Sequence, residues 1–139
     1  MLWLISVSLD DYCVMSTNYI SVSIAGVPYS KSKHRGAVLA PAQWTTTVRE
    51  ATRLLPKVKE ACILKITFML PPDKFPPNFP FGPDLDNLLK RFLDAFNDTV
   101  FSDARGKDSC IVSLHVMKTR VESCDVSGAH IEILPVTIA

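Results

Sequence analysis

The residues from Gly82 to Lys90 read G-P-D-L-D-N-L-L-K and bring two carboxylates, an amide and an amine to what the spacing predicts to be a helix start. Asp84 falls where an N-cap belongs, and Leu85, Leu88, Leu89, Phe92 and Phe96 then recur at helical intervals. At about 100° per residue, Asp86, Lys90, Asp94 and Asn97 share the opposite stripe, with Asp86 and Lys90 one turn apart. Acids at a helix start also serve to cap it, because they satisfy free N–H groups and oppose the macrodipole. Asp84 and Asp86 lie about 200° apart on an ideal helix, so they converge on one ion only if Asp84 stands outside the helix. The preceding Gly82-Pro83 favours that placement.

Hard oxygen donors with no cluster of His or Cys suit Mg²⁺ or Mn²⁺ rather than Zn²⁺. The chemistry that uses such an ion is phosphoryl transfer: the cation polarises the phosphate and orients an attacking water, and a nearby Lys neutralises the developing charge. Lys90 is that Lys. A third carboxylate has to come from elsewhere, and the loop before the next strand offers Asp103 and Asp108, of which Asp108, at the mouth of the strand, is the better placed.

The elements that position these groups follow from periodicity. Residues 19–25 alternate as a strand with Ile20, Val22 and Ile24 turned inward. The next loop carries Lys31, Lys33, His34 and Arg35. Pro41 suits a first helical turn, and Trp44, Val48, Ala51 and Leu55 give that helix its apolar face before Pro56 ends it. Residues 62–70 form a strand with Leu64, Ile66, Phe68 and Leu70 on one face. Six of the ten prolines fall between Pro71 and Pro83, with Phe75, Phe79 and Phe81 among them, so this stretch is a stiff loop. Its aromatics either stack on unpaired bases or pin the loop to the body. After the acid-tipped helix, Val100 and Phe101 anchor a turn. Cys110–Lys118 reads as a strand with Cys110, Val112, Leu114 and Val116 facing one way and Ser113 and His115 the other, and a last strand runs around His130–Leu134.

The length of 139 residues suits one domain, 1–139, and 47% apolar with 21% charged residues is ordinary for a globular chain. Residues 1–14 read as an N-terminal extension or an extra edge strand, with Met15 an alternative start. They lack the basic n-region and cleavage site of a signal peptide, and Asp10 and Asp11 cut them short of a membrane span. Cys13, Cys62, Cys110 and Cys124 are widely spaced and read as reduced thiols of a cytoplasmic protein. The net charge of +1 conceals a segregation. Residues 31–65 hold eight Lys or Arg against Glu50 and Glu60, a local balance of +6, whereas residues 84–108 hold six Asp and no Glu. A polyanion gripped by the first region and cut by metal at the second fits this pattern; so do two solvated faces.

The run P-D-L-D-N-L-L-K-R-F-L-D-A-F-N, then V-F-S-D, then D-S-C-I-V-S-L-H-V-M-K resembles the RusA family of Holliday junction resolvases. There a D-x-D-N-x-x-K helix is followed by paired acids opening a strand that ends in Lys. The resemblance is strongest over residues 83–118, and the strand, Gly-x-Pro and Lys-rich loop of 19–35 also fit. It implies a small α+β endonuclease, a homodimer, that uses Mg²⁺ to cut four-way or other branched DNA by paired nicks on the nucleoid. Carried over, Asp84, Asp86 and Asp108 are the metal ligands, with Asp103 the fallback for the third, and Lys90 is the catalytic lysine. Lys31, Lys33, Arg35 and Lys118 are the DNA contacts. The family's adjacent acids are split here into Asp103 and Asp108 by A-R-G-K.

The expected architecture is a single α+β domain with a mixed sheet flanked by two helices, in the order strand, helix, strand, helix, strand, strand. Two other classes compete with the nuclease. One is a catalytically inert junction-binding protein of the same fold. The other is an interaction protein in which the acids only cap a helix.

Overall fold

The computed structural model describes residues 19–30, 39–74 and 80–137. In chain order they form β1 (Ile20–Ala25), α1 (Leu39–Thr52), β2 (Cys62–Leu70), α2 (Leu85–Phe96), β3 (Ile111–Arg120) and β4 (Gly128–Pro135). This is the expected order of elements. The N-terminal extension, the basic loop with Lys31, Lys33 and Arg35, and Phe75 and Phe79 lie outside the described residues.

The four strands make one mixed sheet in the order β1-β4-β2-β3. β4 is antiparallel to both β1 and β2, whereas β2 and β3 run parallel. A parallel pair needs a crossover, and α2 supplies it. The strand periodicity decides which face the helices cover. Cys62, Leu64, Ile66, Phe68 and Leu70 of β2 are fully buried, as are Ile131 and Ile133 of β4. From the helices, Trp44 and Val48 of α1 and Leu88, Phe92, Ala95 and Phe96 of α2 meet them. Phe92 is the hub of an aromatic chain: its ring centroid lies 6.5 Å from Trp44, 5.7 Å from Phe68 and 4.6 Å from Phe96, and Phe96 stands 5.8 Å from Phe101. The acid-bearing helix is therefore fixed in rotation by its aromatic stripe. On the opposite face of the sheet Glu132 accepts a hydrogen bond from the Tyr19 hydroxyl at 2.6 Å and pairs with Lys65 at 3.8 Å.

Two packing expectations need correction. In α1 the buried position is Thr52, not Ala51, which is exposed. From Trp44 and Val48 a further step of four lands on Thr52, and its hydroxyl is accommodated by donating to the Val48 carbonyl at 2.7 Å and pairing with Thr99 Oγ1 at 2.9 Å. In β3, Val116 packs against the core, but Val112 and Leu114 remain 54% and 44% exposed. β3 is the sheet's edge, and a register shift between Cys62 and Ile63 sets Val112 out of the pairing.

Gly128 opens β4 with φ +154, and a Cβ there would run into the Ile24 carbonyl of β1. The two edges of this collision are backbone, so neither can swing aside. Gly128→Ala is expected to lower stability by about 3 kcal/mol, read as a fall in the denaturant midpoint at unchanged m.

Candidate nuclease site

Gly82 adopts φ +122, a conformation open to glycine, and Pro83 follows with its fixed φ. Together they aim the chain into α2. Asp84 is the N-cap, extended at φ −67 and ψ 138, and its carbonyl accepts the Leu88 N–H at 3.0 Å. Its side chain makes no capping hydrogen bond. The carboxylate is thus not committed to closing the helix, which is the role that a purely structural N-cap would give it. Asp86 is exposed in the first turn, where its Oδ1 accepts the Asn87 N–H at 3.0 Å. Lys90, one turn further along, is exposed and has no hydrogen-bond or ion-pair partner among the described residues.

Lys118 reaches the same end of α2. Its Nζ donates to the Pro83 carbonyl at 2.8 Å, one residue before Asp84. β3 thereby contributes a cation to the helix tip, and the tip carries Asp84, Asp86, Lys90 and Lys118.

Asp108 is elsewhere. Its Oδ2 accepts from Asn97 Nδ2 at 3.0 Å, and its backbone N–H donates to Asn97 Oδ1 at 3.1 Å. Asn97 is the C-cap of α2. Thirteen helical steps separate it from Asp84, about 20 Å along the axis at 1.5 Å per residue. Asp103, exposed in the turn after α2, belongs to that far end as well. Within one chain, then, the helix that carries Asp84 and Asp86 also holds Asp108 away from them. Among the described residues no three His, Cys, Asp or Glu side chains are grouped to hold a metal ion.

Much of the basic segment is spent on structure. Arg49 bridges to Asp98 at 2.8 Å, Arg53 to Glu50 at 3.4 Å and Lys65 to Glu132 at 3.8 Å. Lys57 donates to the Thr99 carbonyl at 2.7 Å and to Ser102 Oγ at 2.8 Å. The charges of Arg49, Arg53, Lys57 and Lys65 are therefore not a free field over α1.

Two features had no distinguishing signal in the sequence. Arg91 follows Lys90 and reads as one more helical charge, yet its guanidinium donates to the Ser30 carbonyl at 3.0 Å, the Pro41 carbonyl at 3.2 Å and Thr45 Oγ1 at 3.1 Å. It ties α2 to the start of α1 and to the segment after β1. The Lys74 ammonium stands 3.5 Å from the Tyr29 ring centroid. Lys74 lies in a short 3₁₀ turn, Pro72–Lys74, directly after β2, and neither partner belongs to a periodic pattern.

Cys62, Cys110 and Cys124 are free thiols. Burial, and next the neighbouring Cys110, pushes the Cys62 thiol up to about 12, and burial raises Cys110 too. Thiolate is the reactive form, so Cys62 is protected twice over. Peptide mapping after alkylation of the native protein at neutral pH is expected to find Cys62 modified about a hundredfold more slowly than exposed Cys124.

No helix among the described residues is long and apolar enough to cross a membrane. Comparison with curated proteins finds no match. The family model of endodeoxyribonuclease RusA matches residues 42–133, a span that contains most of α1, the whole acid-tipped helix and most of the sheet. On that match, over more than half of its length, the chain belongs to the RusA endodeoxyribonuclease family, nucleases of the Holliday junction resolvase type.

Proposed function

We propose that this protein is a Mg²⁺-dependent, structure-specific endonuclease of the cytoplasm that cuts four-way or other branched DNA by paired nicks, acting as a homodimer. The observation that carries the reading is the Asp84 carboxylate, set outside α2 and unused as a cap, beside Asp86. Mg²⁺ commonly keeps several waters and is bound by one or two carboxylates together with substrate phosphate, so two acids at an exposed tip fit it. When bound, the ion would polarise the scissile phosphate and lower the pKa of a water. Asp84 and Asp86 hold the ion's place, Lys90 meets the phosphate's developing charge, and Lys118 steadies the Pro83 turn from which Asp84 projects. Lys31, Lys33 and Arg35 would grip the DNA backbone, on a segment that leaves from Ser30, whose carbonyl Arg91 holds.

Dimerisation gives Asp108 a role consistent with its place. Fastened to Asn97, which lies about 20 Å along α2 from Asp84, it serves the partner's helix tip, each subunit lending the third carboxylate to the other. The open edge of β3, with Val112, Leu114 and Met117 exposed, begins three residues after Asp108 and is the surface on which a second copy would pack.

The test is cleavage of a labelled synthetic four-way junction beside linear duplex of the same sequence, with Mg²⁺ and with EDTA. Paired nicks in the junction that need Mg²⁺ are expected. The tie between Asp108 and Asn97 favours one other reading, a catalytically inert junction binder of the same fold. Tight binding in EDTA, with no cutting in Mg²⁺ or Mn²⁺, would establish that one instead.

A further inference from the structure

The turn between α2 and β3 is anchored more firmly than a solvated connection needs. Phe101 and Ala104 are buried, and the Ala104 N–H donates to the Phe101 carbonyl at 3.1 Å. Gly106 at φ +71 and Lys107 at φ +52 then take two successive left-handed steps, and the Lys107 N–H donates to the Ala104 carbonyl at 3.0 Å. Among the described residues Lys107 is the one non-glycine at positive φ, a region that disfavours a residue with a Cβ. Glycine or asparagine would hold the same turn with less strain. The charge that Lys107 brings there is not used by the fold. Lys107 and Arg105 are both exposed, and neither has a hydrogen-bond or ion-pair partner for its side chain among the described residues, in contrast to Arg49, Arg53, Lys57 and Lys65. Lys107 does not pair even with Asp108, its neighbour in the chain, whose carboxylate accepts from Asn97.

We infer that Lys107, with Arg105 beside it, is a phosphate contact that holds the DNA backbone next to the metal site that Asp108 completes. The inference rests on the nuclease reading, in which that site is the partner's helix tip. Strain kept at an exposed position is accounted for when the side chain serves a ligand and not the fold. A phosphodiester is such a ligand: it is anionic, it offers two oxygens to cationic donors, and two unpaired cations stand here two residues apart with Gly106 between them. The place of the pair joins this contact to the chemistry. The Asp108 N–H and carboxylate are both fastened to Asn97, so Lys107, one peptide bond away, is carried wherever Asp108 goes. A carboxylate that approaches DNA is repelled by its phosphates. A lysine one residue before it offsets that repulsion and leaves Asp108 free to meet the cation.

The experiment compares the full chain with Lys107→Gly, which removes the cation and relieves the turn, and with Lys107→Arg, which keeps both cation and strain. Lys107→Gly is expected to have a denaturant midpoint no lower than the parent's, so a loss of function in it is not a loss of folding. Its affinity for a four-way junction in EDTA is expected to fall about fivefold near 0.1 M salt, with the log–log salt slope shallower by about 0.9, and by about 1.8 once Arg105→Gln is added. At saturating protein in Mg²⁺ it is expected to cut about tenfold more slowly. Lys107→Arg is expected to restore affinity, slope and rate to within about twofold of the parent. A salt slope unchanged in the Lys107→Gly, Arg105→Gln double variant would overturn the contact, as would a Lys107→Arg protein as impaired as Lys107→Gly. A changed slope with an unchanged cutting rate would overturn its place beside the metal site. A parent that shows the charge-dependent slope but never cuts in Mg²⁺ would leave the phosphate contact standing and remove the nuclease reading.

Discussion

Asp86→Asn protein is expected to bind a four-way junction at least as tightly as the parent and to cut it about a thousandfold more slowly or not at all. The substitution leaves the shape of the side chain and retains an oxygen able to accept the Asn87 N–H, so the first turn of α2 keeps its local bond. Asp86 is exposed, and the helix is anchored by Leu88, Phe92 and Phe96 on its other face, so folding does not depend on the charge. What is lost is one of the two carboxylates that the helix tip offers a divalent cation, and a neutral amide is a poor replacement for a hard ion. Binding moves the other way, because a negative charge has been removed from a surface that meets phosphate. Junction affinity in EDTA and single-turnover cutting in Mg²⁺ separate the two effects. Undiminished cutting would place the chemistry somewhere other than the helix tip.

The fold was legible because its signals are periodic. The alternation of residues 62–70 and the helical spacing of Leu88, Phe92 and Phe96 each imply burial on one face, and those residues are fully buried. Where the reading slipped, the missing information was tertiary. Ala51 is more apolar than Thr52, but only the partner at Thr99 makes Thr52 the buried one. Val112 and Leu114 have the composition of a covered strand, and nothing local says that β3 lies at the sheet's edge.

The site divides in the same way. Gly82-Pro83-Asp84 is a local instruction, so the position of Asp84 outside the helix could be anticipated from three residues. The Lys118 contact with Pro83 joins residues 35 apart, and its approach depends on the parallel pairing of β2 with β3. Likewise, basic residues counted along residues 49–65 look like one field, yet their carboxylate and carbonyl partners come largely from the turn after α2 and from β4. Charge read along a chain overstates charge available on a surface.

Mixing two inactive proteins is expected to restore cutting. Asp86→Asn and Asp108→Asn would each be inactive alone if every metal site takes Asp84 and Asp86 from one subunit and Asp108 from its partner. In a mixed dimer one site carries both lesions, whereas the other has intact Asp84 and Asp86 from the Asp108→Asn subunit and intact Asp108 from the Asp86→Asn subunit. Random exchange between equal amounts makes about half of the dimers mixed, each with one working site. The product is then a singly nicked junction, formed at about a quarter of the parent's capacity in sites, instead of the paired nicks that leave linear arms. The physical reason to expect this is the rigidity of α2. A helix pinned by Phe92 and Phe96 cannot bring its own C-cap to its N-cap, and the two hydrogen bonds with Asn97 hold Asp108 at the C-cap. A site completed within one subunit would require those bonds to break and the turn at Gly106 and Lys107 to unwind; it predicts no recovery on mixing at any ratio. Retained paired cutting by Asp108→Asn alone would show that two carboxylates suffice and that Asp108 serves only to fasten the end of α2.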